Sequence, residues 1–202
     1  MIYKASKFLC ENSFHTKARK YADACLSKID KEDLKQQVLD KRNKDALNAY
    51  CICPVGNDAD LLERYLFVQR FLKESRQFGA QSQASEKRSV EMALLNLARN
   101  SRFETVTRLS WMMESKMVSQ HLEVLTPQKI HEVEVWIEIN DQGSNEICIQ
   151  KNGRRQKSIP AVLKKNEKFI ALKDIHNQWN EQYRRSKKML QQTMEERTEF
   201  SN

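Results

Sequence analysis

Over the first 120 residues the apolar positions recur every third or fourth residue, the spacing of helices that each bury one face. From Thr16 to Ile29 the face is Ala18, Tyr21, Ala22, Cys25 and Ile29, and a helix starting near Asp30 turns Leu34, Val38 and Leu39 inward. Asp45 to Cys53 buries Leu47, Tyr50 and Cys51, and Pro54 with Gly56-Asn57 ends it in a turn. Asp58 or Asp60 then caps a long helix carrying Leu61, Leu62, Tyr65, Leu66, Phe67 and Leu72, supported by the i,i+4 pair Asp60–Arg64 and stopped by a left-handed Gly79. Two more helices follow, Ala84 to Asn100 and Thr105 to Gln120, the first on Val90, Ala93, Leu94, Leu97 and Ala98, the second on Val106, Leu109, Met112, Met113 and Met117.

After Pro127 the period becomes two. His131 to Ile139 alternates, with Val133, Val135, Ile137 and Ile139 on one face and Glu132, Glu134, Trp136 and Glu138 on the other, which predicts a half-buried strand. Asp141-Gln142-Gly143 turns the chain into a second strand at Ile147 and Ile149. Asn152-Gly153 is a two-residue hairpin signal before a third strand from Arg154 to Ile159. A helix is then expected from Asn166 nearly to Glu199, with an apolar seam of Phe169, Leu172, His176, Trp179, Tyr183, Ser186 and Leu190 that needs a covering partner. The fold class is α+β, predominantly α. Residues 1–125 form a helical region of repeat-like pairs, and 126–202 a three-stranded antiparallel meander plus long helix, packed as one unit with the preceding helices.

Composition narrows this picture. No apolar run approaches the roughly 20 residues of a membrane span, the mean hydropathy is -0.75 and 31% of residues are charged, so no membrane role is expected. Met1 to Cys10 lacks a secretory apolar core. Five scattered cysteines, Cys10, Cys25, Cys51, Cys53 and Cys148, read as free thiols of a reducing, cytoplasmic compartment.

The chemistry in view is sparse. Cys51-x-Cys53 has no second ligand pair at zinc spacing, His131-Glu132 opens no HExxH, and four glycines write no phosphate-binding loop. No nucleophile elbow occurs, so no catalytic residue, metal or cofactor is assigned and no enzyme is expected. The net charge of +8 directs attention to Lys151, Arg154, Arg155, Lys157, Lys164 and Lys165, with Arg184, Arg185, Lys187 and Lys188 as a second cluster. Such patches suit phosphate contacts in a nucleic-acid accessory domain. Against this, Glu132, Glu134, Glu138, Asp141 and Glu146 stand ready to neutralise the third strand across the sheet, and no aromatics interleave with the bases. Trp111 and Trp179 fall at core spacing, whereas Trp136 lies on the acidic face.

Several stretches carry a family resemblance: Leu62-Glu63-Arg64-Tyr65, Lys73 to Gln81, Ala84-Ser85-Glu86, Ala93 to Asn100, Arg108 to Glu114, Gly153 with Lys157 to Pro160, Gln182 to Arg185, and Met194. Over roughly residues 45 to 200 the chain resembles the large bacterial MolR-like proteins, labelled molybdate metabolism regulators or unknown-function proteins and sometimes joined to a WGR domain. The resemblance implies helical repeats before this region, a further uncharacterised domain after it, and no established catalytic residues. It implies that Phe200-Ser201-Asn202 stops where the family continues, so that Met1 opens a split or truncated product. One departure is Ser101-Arg102-Phe103-Glu104, where relatives carry a Gly-Tyr-Pro-Asp-like turn.

The expected function is a non-catalytic interaction or scaffolding module that docks to the rest of a larger parent protein or to a separately encoded remainder, through a seam exposed around Phe169, Trp179 and Tyr183. The alternative is nucleic-acid binding through Lys151, Arg154, Arg155, Lys157, Arg184 and Arg185.

Overall fold

The computed structural model describes residues 12–195. The readings of Met1 to Cys10, the last turn of the final helix towards Glu199, and the chain end at 200–202 lie outside the described residues. The chain divides into two compact units, 1–113 and 114–202.

The described part of the first unit is helical. Helix α1 spans Asn12–Cys25, α2 Lys31–Lys41, α3 Lys44–Ile52, α4 Asp58–Glu74 and α5 Ala80–Asn100. Helix α6, Val106–Ser119, begins in this unit and ends in the second. Three of these starts carry a side-chain cap. Asp30 caps α2 by accepting from Glu32 N, Asn43 caps α3 through Asp45 N and Ala46 N, and Asn57 caps α4 by accepting from Asp60 N. The predicted cap at Asp58 or Asp60 is thus one to three residues late.

Helix α3 is the centre of the unit. It packs against α1, α2 and α5, and its residues from Ala46 to Cys51 are all buried. Three other expectations shift. Leu39 is 51% exposed, because Leu34 and Val38 already fill the buried face of α2. Cys25 is exposed while Ala24 is buried, since α1 ends at Cys25. Gly79 has φ −64 and opens α5, and α4 ends at Glu74 in a short 3-10 turn, Ser75–Gln77.

Arg64 explains how α3 and α4 are fixed. The expected i,i+4 pair Asp60–Arg64 forms and is the core of a network, with Arg64 only 1% exposed. Its guanidinium donates to the carbonyls of Tyr50 (3.1 Å), Cys53 (2.6 Å) and Pro54 (2.9 Å) and to both Asp60 oxygens (3.0 and 2.8 Å). Five donors meet five acceptors, and carbonyls at and just beyond the end of α3, which have no intrahelical donor, are satisfied. Asn100 Nδ2 adds a second clasp on the carbonyls of Ile52 and Cys53. Burial pushes the Cys51 thiol up to about 12 and raises Cys53 as well.

The second unit holds an antiparallel sheet of four strands in the order β1 (Gln128–Ile130), β2 (Val133–Ile139), β3 (Asn145–Lys151) and β4 (Arg154–Arg155). The expected count of three is corrected by β1. Its tight turn rests on His131 at φ 55 and carries no glycine or asparagine signal. The third predicted strand shrinks to two residues. The Asn152-Gly153 turn is as expected, with both residues in the left-handed region at φ 49 and 73.

Val133, Val135 and Ile137 are buried, but Ile139 at the strand end is 44% exposed. After a single turn of helix, α7 (Ala161–Lys164), α8 runs over Glu167–Glu195 and lies on β2 and β3. Asn166 caps it by accepting from Lys168 N at 3.0 Å.

Candidate functional site

The acidic and basic strands meet on the outer face of the sheet. Register places Trp136 opposite Cys148, Glu138 opposite Glu146 and Gln150 opposite Arg155. The Arg155 guanidinium donates to Glu138, to Glu146 at 3.1 Å and to the Cys148 sulfur. Lys151 pairs with Glu132 at 3.1 Å. Glu138, Glu146 and Cys148 bring their ligand atoms within 4.8 Å of one another, the convergence a divalent cation uses. Arg155 already supplies the positive charge there. The bond from Cys148, followed by Arg155, holds the Glu138 carboxyl below its usual range.

The proposed basic surface is therefore divided. Arg185 makes a bidentate pair with buried Glu114, at 2.8 and 2.9 Å. Lys151, Arg155 and Arg185 are spent within the unit, while Arg154, Lys157 and Arg184 are exposed and make no ion pair with another described residue. Trp136 is half-buried.

The expected docking seam is closed. Phe169 and Trp179 are each 2% exposed and Leu172 is 2% exposed, because the N-terminal half of α8 is covered by its own sheet. Tyr183, half-buried, lies against the β2–β3 turn, where a Cβ on Gly143 would come within 3.2 Å of its ring. Leu190 at the far end is 49% exposed.

A concave surface appears instead in the first unit, where no site was expected. It is a groove of about 450 Å³ walled by α1, α3 and α5. Bonds from Lys44 Nζ to Ser85 Oγ (2.7 Å) and from Asn48 Nδ2 to Ser89 Oγ (2.9 Å) align α3 and α5 in parallel. Residues four apart on each helix thus line the same floor: Lys44, Asn48 and Ile52 on α3, and Ser85, Ser89, Met92 and Asn96 on α5.

The groove is graded along its length. Lys44 stands where α3 begins, Arg88 beside Asn48, and Ile52 and Met92 about a turn further along; Asn96, one turn beyond Met92 on α5, reaches back to the Asn48 amide at 3.4 Å. Helix α1 contributes Lys17 and Tyr21, both joined to Asp45, at 2.8 and 3.4 Å. The bond to Asp45 raises the Lys17 ammonium, and burial raises the Tyr21 phenol, so near neutral pH both keep their protons.

One signal for this groove was present in the sequence. Asn48 occupies a buried helical position between Leu47 and Tyr50, where an amide needs fixed partners. The grading itself depends on which residue of α5 faces which residue of α3, and that is a property of the packing.

No curated protein and no solved structure matches the chain. Residues 1–113 match the family of unknown function DUF5724, and over more than half its length the chain belongs to that family.

Proposed function

We propose that this chain is a non-catalytic interaction or scaffolding module of a larger MolR-like regulatory protein, and that its first unit holds a protein segment in the groove on α1, α3 and α5. The observation that carries the reading is the groove itself. It is open and of ligand size, lies within the family-matched residues, and exposes Met92 at 52% on a floor shared with Ile52. Its polar groups are held by hydrogen bonds before any ligand arrives, which reduces the ordering cost of binding. The sequence resemblance over residues 45 to 200 supports a place within a longer regulatory chain.

The nucleic-acid reading loses support from the ion pairs of Lys151, Arg155 and Arg185, three of its six named residues. Affinity selection of displayed random peptides on the full chain tests the proposal. Enriched peptides that bind the unmodified chain and lose binding to Met92→Asp support it. Failure to enrich any peptide, or enrichment indifferent to Met92→Asp, overturns it.

A further inference from the structure

Resting on the reading of the groove as a protein-binding surface, we infer that it selects an extended peptide segment with a carboxylate side chain at one end and an apolar side chain three or four residues away. Charge complementarity identifies the first anchor. Of the cations lining the groove, Lys17 is neutralised by Asp45 at 2.8 Å. Among the described residues the Lys44 ammonium bonds only the neutral Ser85 hydroxyl, and Arg88 is exposed and makes no ion pair with another described residue. Two uncompensated positive charges therefore lie beside two hydroxyls, Ser85 and Ser89. They stand at the N-terminal end of α3, where the helix dipole adds to the attraction for an anion.

The second anchor is apolar. Ile52 lies two turns further along α3, and Met92 one turn beyond Arg88 on the parallel α5. At 1.5 Å per residue, Lys44 and Ile52 are separated by about 12 Å along the helix axis. An extended chain advances about 3.3 Å per residue, so the two anchors match side chains three or four positions apart.

The Asn48 and Asn96 amides on the same floor face the peptide backbone. Both Asn48 amide hydrogens are committed, to the Lys44 carbonyl at 2.9 Å and to Ser89 at 2.9 Å. The Asn96 side-chain oxygen accepts no bond from a described residue and is available to a peptide N–H. A segment of this kind meets the cations near the start of α3 first and the apolar pair further along it.

The test uses the full chain and three fluorescein-labelled libraries of eight-residue peptides. All carry Leu three or four positions from a fixed residue, which is Glu, Gln or Lys. The expected result is binding of the Glu library about tenfold tighter than the Gln library, weakened by added salt, with the preference abolished in Arg88→Glu and in Lys44→Glu. Circular dichroism identifies the variants that remain folded. Equal binding of the Glu and Gln libraries, still lost in Met92→Asp, overturns the charge selection while the protein-binding reading stands. No binding of any library overturns both.

Discussion

Replacing Arg64 by Met removes all five donors of a side chain that is 1% exposed and leaves Asp60 and the carbonyls of Tyr50, Cys53 and Pro54 to find other partners. Breaking a buried charged pair by deleting one member costs about 3–5 kcal/mol. Each buried acceptor left without a donor costs about 1–3 kcal/mol, so the two estimates overlap once part of the loop reopens to water. Arg64→Lys keeps the charge but has no planar fork, cannot reach three separate carbonyls together with a carboxylate, and recovers less than half of the loss. Hydrogen exchange of peptides spanning residues 44–64 reads the effect on the first unit directly. The expected fall in protection is at least about a hundredfold, equivalent to roughly 3 kcal/mol. A loss of less than about 1 kcal/mol in Arg64→Met, or full rescue by Lys, refutes the claim that this network locks α3 to α4.

Four further outcomes follow from particular contacts. Asp60 feels desolvation that raises its pKa, but the Gly56 N–H, Arg64 and Lys31 outweigh it and leave the pKa below the usual 3.8; its stabilisation is therefore complete above about pH 4 and is lost as pH falls through the depressed value, visible as acid-dependent exchange in α4. Arg102 sits at φ 62 in a helix-ending motif closed by Phe103 N to the Ala98 carbonyl at 2.9 Å, so Arg102→Gly relieves left-handed strain and raises stability by about 0.5–1 kcal/mol in urea unfolding. Gly143→Ala loses about 1–2 kcal/mol, because it adds a Cβ at φ 79 against the Tyr183 ring; in Gly143→Ala combined with Tyr183→Ala the close contact is removed and only the backbone part of the cost remains. In a Cys10→Ser background, exposed Cys25 reacts first with a thiol reagent at pH 8, while Cys51, buried and pushed up to about 12, reacts only on unfolding.

The periodic parts of the fold were legible in the sequence, and their ends were less so. Val90, Ala93, Leu94, Leu97 and Ala98 are all buried as their spacing indicated, because a long helix must bury one continuous stripe. Strand β1 escaped notice because three residues are too few for an alternation and His131 replaces the usual turn residues. The seam of α8 was visible, but its cover was not. Periodicity shows that Phe169 and Trp179 are buried somewhere, whereas the sheet that buries them is a matter of tertiary packing. Likewise the charge order of the meander foreshadowed Arg155 with Glu138 and Glu146. The groove required the register between α3 and α5, which bonds such as Lys44–Ser85 and Asn48–Ser89 set.

Peptide binding in the α1–α3–α5 groove of the first unit is read out by methyl-detected NMR during titration of the full chain with the Glu-containing peptide library. Binding there shifts the Ile52 and Met92 methyl resonances together and saturably, while Met194, 71% exposed in the second unit, stays in place. Shifts at Met194 with none at Ile52 and Met92, or no saturable shift at all, would contradict it.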